Sequence, residues 1–100
     1  MAKHIEKLTM MKDVLVSHGY ICDDFTEKEG GLYYKFHLYM KHSLSYQEVT
    51  IFYEYNKGYG FETTLANGKG NQTLLKFAND RLSFVKFKEK VTQAIIVKKV

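Results

Sequence analysis

The side chains that could do nucleophilic or metal chemistry are scattered along this 100-residue chain. Its histidines are His4, His18, His37 and His42. None of them has a second His or a Cys at the spacing of a zinc site. The single cysteine, Cys22, precedes Asp23 and Asp24, whose negative charges would raise the pKa of its thiol and suppress the thiolate. We therefore expect no metal site, no cofactor and no cysteine nucleophile, and we expect Cys22 to pack as a small apolar residue.

No enzyme motif stands out either. The serines lie in no nucleophile motif, and the chain has no Walker loop and no dinucleotide fingerprint. One adjacent carboxylate pair, Asp23-Asp24, falls far short of the six or more oxygen ligands that calcium takes. Because function is argued from sites, we predict that the protein is not an enzyme and infer no small-molecule substrate.

A different kind of chemistry is indicated by Gly68-Lys69-Gly70-Asn71, a turn that precedes a predicted helix. Backbone N–H groups at such a turn favour anions, and Lys69 adds positive charge. The order helix, strands, helix with this turn resembles a double-stranded-RNA-binding domain in topology. That family continues with closely spaced lysines, where this chain has Gln72-Thr73-Leu74-Leu75.

The charge is unevenly distributed and points the same way. Residues 69–100 hold eight Lys and Arg against two acids, and residues 1–68 hold seven lysines against nine acids, so that +6 and −2 make up the overall +4. A basic C-terminal third favours a polyanion partner, although lysines on a solvated helix also serve solubility alone. The residues that a nucleic acid would contact are Lys69, Lys76, Arg81, Lys86, Lys88 and Lys90.

The elements that position these side chains centre on Leu32–Leu65, which reads as a three-strand antiparallel meander. Apolar residues alternate from Leu32 to Met40, and again along Glu48–Tyr55 and Tyr59–Leu65, with the period of two that indicates half-buried strands. The alternation predicts an inner, apolar face that includes Leu32 and Tyr55.

The turns suggest how these strands pair. Asn56-Lys57-Gly58 fits a three-residue hairpin with Gly58 in the left-handed conformation, which would pair Tyr55 with Tyr59. Between the first two strands of the meander, one register sets Lys41 opposite Glu48 and Lys35 opposite Glu54. A shift of two residues would keep the faces and lose both charge pairs.

The flanking segments complete the fold. Lys3–His18 has apolar residues at helical spacing and ends before Gly19. Tyr20–Thr26 is predicted to be an edge strand, with Ile21 and Phe25 on one face. We predict a C-terminal helix that begins at Asn71 as N-cap, although residues 71–97 could form one helix, two helices that divide near Asn79-Asp80, or include a strand at Leu82–Lys88.

The elements predict a single α+β domain, residues 1–100, in the order α-β-β-β-β-α. An antiparallel sheet and two helices packed on one of its faces would make two layers. The opposite face is left open and carries aromatic and charged side chains. The predicted protein-binding residues on it are Tyr33, Lys35, His37, Tyr39, Lys41 and Phe52.

This face favours a small, non-enzymatic binding protein that contacts a protein partner or a second copy of itself, as an adaptor, inhibitor or immunity-type factor. Aromatics among lysines also resemble the stacking surfaces of single-strand nucleic-acid binders, but Glu48, Glu54 and Glu62 on the same face would repel phosphates. A nucleic-acid-binding module that uses the basic C-terminal helix and the Gly68–Asn71 turn is the alternative. No membrane span is found in the sequence, and with one cysteine and no export signal a cytoplasmic location is expected.

Overall fold

A computed structural model describes residues 2–41, 45–67, 72–76 and 82–96. The elements in chain order are α1 (Ala2–Ser17), β1 (Ile21–Lys28), β2 (Tyr33–Lys41), β3 (Ser45–Glu54), β4 (Gly58–Asn67), β5 (Gln72–Lys76) and α2 (Phe84–Val91). A π-helical turn, Thr92–Ile96, follows α2 directly. The predicted α+β class, with a helix before and a helix after an antiparallel sheet, is confirmed.

The five strands form one sheet in the order β1-β2-β3-β4-β5, and every neighbouring pair is antiparallel. Strands that follow each other in sequence are therefore neighbours in space. Such short connections place the predicted meander of Leu32–Leu65 at the centre of the sheet, with β1 at one edge and β5 at the other.

The strand β5 corrects the predicted start of the C-terminal helix. Residues 72–76 pair with β4, from Ala66 opposite Gln72 to Glu62 opposite Lys76. A short apolar segment is compatible with helix or strand, and here pairing with the edge of β4 decides the outcome. The predicted N-cap Asn71 and the predicted division near Asn79-Asp80 lie outside the described residues.

The second helix begins later than predicted, at Phe84, and Ser83 is its N-cap. Its buried residues Phe87 and Val91 continue into Ile95 of the π-helical turn, which is 1% exposed. Residues four apart lie on one side of a helix, so this stripe faces the sheet. Of the alternatives for Leu82–Lys88, helix from Phe84 is the one observed.

The core lies between the two helices and the inner face of the sheet. Helix α1 contributes Leu8, Met11 and Leu15, each no more than 1% exposed. The sheet contributes the side chains that the alternation predicts to face inward, among them Phe36, Leu38, Met40, Val49, Ile51, Tyr53, Tyr59 and Phe61. Contacts of α1 with β3 and of α2 with β4 confirm that both helices pack on one face.

The end of α1 follows the sequence prediction closely. Gly19 has φ +102, Tyr20 N–H donates to Leu15 O (3.1 Å) and Gly19 N–H donates to Val16 O (3.0 Å). This pair of bonds is the Schellman motif, which needs a left-handed residue after the helix. It directs Tyr20 into the core, where its hydroxyl donates to Gln47 Oε1 (3.0 Å).

Both predicted registers within the meander are wrong by two residues. Glu54 pairs with Gly58 and Tyr53 with Tyr59, so that residues 55–57 form the turn. Between β2 and β3, Lys35 lies opposite Phe52 and Lys41 opposite Tyr46, and the predicted pairs with Glu54 and Glu48 do not form. A shift of two keeps each side chain on its face, and surface charge pairs of about 0.2–1 kcal/mol do not decide the register between β2 and β3.

Turn geometry explains the shift between β3 and β4. Asn56 has φ +64 and takes the left-handed position of the turn, while Gly58 has φ +119 at the first position of β4. A Cβ on Gly58 would lie 2.5 Å from Leu82 O, because β4 passes close to the segment that precedes α2. The prediction that Tyr55 and Leu32 face inward is therefore wrong: both lie in turns, joined by a hydrogen bond from Tyr55 N–H to Leu32 O (2.8 Å), and both are exposed.

The edge strand β1 is confirmed, but its faces differ from the prediction. A bulge between Cys22 and Asp24 leaves Asp23 without a partner in the pairing. The extra residue reverses the alternation, so Ile21 lies beside Tyr39 on one face and Phe25 beside Phe36 on the other. Cys22 packs against the core as a small apolar residue, as predicted.

Candidate functional site

The face of the sheet that points away from α1 and α2, which we call the outer face, holds the predicted protein-binding residues. Alternation along β2 places Tyr33, Lys35, His37, Tyr39 and Lys41 there, opposite the buried Phe36, Leu38 and Met40. The first four are half-buried by their neighbours in the sheet, and Lys41 is exposed. The strand therefore holds these side chains at regular spacing on a rigid backbone.

Phe52 lies on the outer face as predicted, yet it is only 7% exposed. Its ring covers Gly60 on the neighbouring strand, where an added Cβ would lie 2.6 Å from Phe52 Cε1. An aromatic ring that covers a strand glycine replaces the missing side chain. The Tyr33 ring stacks beside it, with centroids 6.4 Å apart. Phe52 thus supports Tyr33 and offers little surface of its own to a partner.

The centre of the outer face holds a cluster that the sequence did not reveal. His37 Nδ1 lies 2.5 Å from Asp23 Oδ1, and His37 Nε2 lies 3.4 Å from Glu48 Oε1. Three strands supply the cluster: the bulge in β1 brings in Asp23, and β3 brings in Glu48. The bulge cannot be read from composition or period, which is why sequence reasoning treated Asp23 and His37 separately.

The cluster changes the protonation of the imidazole. Partial burial alone would lower the pKa of His37, but its hydrogen bonds to Asp23 and Glu48 and their negative charges outweigh that effect, and the pKa is raised above 6.5. A protonated His37 donates from both ring nitrogens, one to each carboxylate. The outer face therefore carries a hydrogen-bonded cluster of charged groups at its centre.

A second aromatic pair lies at the other end of the outer face. Tyr39 stacks against Tyr46, with ring centroids 5.7 Å apart. Burial, and then the negative charges of Glu48 and Asp23, raise the pKa of Tyr46. Tyr46 was not among the predicted residues, because the shifted register is what brings it opposite Lys41 and next to Tyr39.

The outer face carries charges of both signs. Its carboxylates are Asp23, Asp24, Glu48, Glu54 and Glu62, and its lysines are Lys28, Lys35 and Lys41, to which the register of β5 adds Lys76 opposite Glu62. Lys28 lies over the Tyr33 ring, 5.5 Å from its centroid, and Glu54 lies 3.5 Å from Lys57. A surface with this mixture of signs does not present the single positive field that attracts a phosphate backbone.

Comparison with protein-family models, with curated proteins and with solved structures finds no match for this chain.

Of the residues predicted to contact nucleic acid, Lys76, Lys86, Lys88 and Lys90 lie within the described part of the chain. Lys86, Lys88 and Lys90 are exposed on α2. At 3.6 residues per turn, Lys88 points about 160° away from Lys86 and from Lys90. Lys76 belongs to β5 instead of a helix. Lys69 and Arg81 lie outside the described residues, as does the Gly68–Asn71 turn.

In the described part of the chain, no group of three or more His, Cys, Asp or Glu side chains has an arrangement that could hold a metal ion. Within the same ranges, no helix has both the length and the apolar character needed to cross a bilayer.

Proposed function

We propose that this chain is a small, non-enzymatic binding protein that acts through protein–protein contacts, as an adaptor, an inhibitor or an immunity-type factor. The outer face is its binding surface, and Tyr33, Lys35, His37, Tyr39 and Lys41 are its contact residues, with Phe52 as support. The observation that carries the proposal is the pairing of half-exposed tyrosines with a hydrogen-bonded charged cluster on the face that α1 and α2 leave open.

Rigidity supports this role. Tyrosine supplies a large contact area with few rotatable bonds, and Tyr33 and Tyr39 are already held by stacking on Phe52 and Tyr46. His37 is fixed by its two carboxylate partners. Binding then requires little ordering of side chains, so more of the contact energy appears as affinity.

The partner in this proposal is a protein whose docking surface complements the mixed charge of the outer face. Complementary charge accelerates association and disfavours wrong partners. A second copy of this chain is one candidate, since α2 exposes Lys86, Lys88 and Lys90 as counter-charges for the outer-face carboxylates. Concentration-dependent association of the purified chain identifies that case.

Catalysis is not part of the proposal. A general base needs a ring nitrogen free to take a proton from a substrate. Asp23 and Glu48 occupy both nitrogens of His37, so the imidazole is committed to the cluster. A cytoplasmic location is proposed with it, because the sole cysteine is packed against the core without a disulfide, as a reducing compartment permits.

A nucleic-acid-binding module is the second candidate, and the three exposed lysines of α2 against Glu89 are the observation that favours it. Phosphate contacts by these lysines would be sequence-independent and strongly weakened by salt. Because Lys88 points away from the other two, one phosphate backbone would contact Lys86 and Lys90 and leave Lys88 out.

Two substitutions on the outer face test the first candidate against a matched control. Glu62→Lys reverses an exposed outer-face charge, and Tyr39→Ala removes half of a stacked pair. Glu6→Lys makes the same charge change at an exposed position of α1. In pull-downs from nuclease-treated host lysate, we expect the two outer-face variants to recover at least about fivefold less of the specific partner, and Glu6→Lys to match the wild type.

Circular dichroism and thermal unfolding of each variant serve as the control that the fold is retained. Equal recovery by all four proteins would refute the outer face as the binding surface. A partner that is recovered from untreated lysate but not from nuclease-treated lysate, and that is lost on replacing Lys86 and Lys90 with Glu, would establish the nucleic-acid candidate instead.

A further inference from the structure

An open cleft of about 310 Å³ lies on the side of the sheet opposite to the outer face. Its walls are the first turns of α1, the turn at residues 55–57 and the start of α2, and its floor includes Tyr53 and Tyr59. Two backbone hydrogen bonds between Tyr59 and Leu82, each 2.8 Å, hold the α2 wall to β4. The cleft is therefore built by fixed backbone on at least two sides.

Cationic side chains line this cleft. Lys7 and Lys57 contribute ammonium groups and His4 an imidazole, and the described lining contains no carboxylate. Lys7 Nζ lies 5.6 Å from the centroid of the Phe84 ring. Lys57 is shared with Glu54 at 3.5 Å, which weakens its field in the cleft and leaves Lys7 as the principal cation.

His4 is held in the cleft wall by two tyrosines. Its ring stacks on Tyr53, with centroids 4.2 Å apart and an interplanar angle of 11°, and its Nδ1 lies 2.9 Å from Tyr59 Oη. Burial, and then the positive charges of the N-terminal amine, Lys7 and Lys3, lower the pKa of His4. A neutral His4 that accepts the Tyr59 proton at Nδ1 carries its own proton on Nε2, where it is a hydrogen-bond donor.

We propose that this cleft binds a small anion, a phosphate or carboxylate group, through Lys7, Lys57 and His4. Two lysines on a lining that has no carboxylate among its described residues attract negative charge, and the Nε2 proton of a neutral His4 adds a hydrogen-bond donor. The volume lies at the lower end of that of ligand pockets, so the group it takes belongs to a small molecule or a short side chain. The site is independent of the outer face and does not rest on its proposed function.

The cleft contains its own reporter. Around His4 lie Lys3 and Lys7 of α1, Tyr53 of β3 and Tyr59 of β4, and Lys57 lines the same cleft. The positive charges of the N-terminal amine, Lys7 and Lys3 oppose protonation of the ring. A bound anion offsets them, so the pKa of His4 rises on binding, while that of His37 on the opposite face is unchanged.

An NMR titration of the intact chain with inorganic phosphate, and separately with acetate, tests the proposal at constant ionic strength set with chloride. We expect saturable shifts of the His4 ring signals with at least one of the two anions, and a rise in the pKa of His4. Lys7→Gln should weaken binding by about three- to fivefold and Lys57→Gln by less. Lys88→Gln, which removes the same charge from α2 outside the cleft, should leave the affinity unchanged.

Saturation with phosphate alone assigns the site to phosphate, saturation with acetate alone assigns it to carboxylates, and saturation with both supports the shared chemistry. Shifts that do not saturate with either anion, or that weaken equally in Lys88→Gln, would overturn the proposal.

Discussion

His37 and His4 lie on opposite faces of one sheet and in opposite electrostatic surroundings. Two carboxylates raise the pKa of His37, whereas burial and neighbouring cations lower that of His4. The sequence offered four histidines of equal standing, and nothing in their spacing separated them. What distinguishes them is which strands and turns the fold brings beside each ring.

The contrast predicts a pH dependence with a definite sign. Because the pKa of folded His37 is above its unfolded value of 6.5, the stabilisation it contributes is complete below that value and is lost as the pH rises through the folded pKa. For His4 the sign is reversed: its lowered pKa makes the folded state less stable as the pH falls below 6.5. NMR titration of the ring protons should therefore place the pKa of His37 above 6.5 and that of His4 below it.

Variants at the His37 cluster isolate the contribution of His37 to stability from that of His4. The difference in the free energy of unfolding between wild type and His37→Gln, measured in urea, should shrink as the pH is raised from about 5.5 to about 8.5. Asp23→Asn should lower the pKa of His37 by removing its closest partner. A pKa of His37 at or below 6.5, or a difference in stability that does not change with pH, would contradict the described cluster.

At the scale of elements, the close approach of β4 to the segment before α2 fixes the position of the second helix. Gly58 makes that approach, and the paired hydrogen bonds of Tyr59 and Leu82 follow it directly. The contact also determines which residues form the β3–β4 turn. One glycine thus couples a hairpin register to the docking of a helix.

Gly58→Ala and Gly30→Ala separate the cost of a positive φ from the cost of an added Cβ that meets neighbouring atoms. Both glycines have positive φ, +119 and +64, but an added Cβ meets Leu82 O at 2.5 Å in the first case and nothing within 4 Å in the second. We expect Gly30→Ala to lower the free energy of unfolding by about 1 kcal/mol, and Gly58→Ala by at least about 2 kcal/mol, in urea denaturation. Equal losses in the two variants would show that the contact with Leu82 contributes nothing.

The elements also show how far the sequence could lead. The unbroken alternation of β2 and the apolar spacing of α1 predicted a helix, a meander and its buried face, because burial depends on period alone. Register could not be predicted in this way, since a shift of two leaves the same residues buried. The bulge at Asp23 and the pairing of Gln72–Lys76 depend on neighbouring strands. A segment of five residues has a similar local pattern whether it forms a helix or a strand.

The same limits explain the candidate site. Period placed Tyr33, Lys35, His37 and Tyr39 on one open face without any knowledge of their neighbours. The period could not reveal that the Phe52 ring packs over Gly60, or that Asp23 and Glu48 contact His37, because those contacts join different strands. The face was predictable, and its chemistry was not.

At the scale of the whole molecule, charge and exposure divide between the two sides of the sheet. The outer face is aromatic and carries charges of both signs, whereas the helical side exposes the lysines of α2 and the cationic cleft. The division supports a molecule that meets a protein with one side and anionic groups with the other. It also separates the two proposals physically, so that each is tested without disturbing the other.

The most direct test of the central claim is site-specific photo-crosslinking in living host cells. A photoreactive phenylalanine analogue replaces Tyr39 on the outer face, and in a matched protein it replaces Val85, which is 65% exposed on α2. We predict that the Tyr39 position yields one dominant protein adduct, unaffected by nuclease and reduced by Glu62→Lys, and that the Val85 position does not yield it. The same adduct from both positions, or a nucleic-acid adduct from Val85 and none from Tyr39, would contradict the assignment of the outer face as the binding surface.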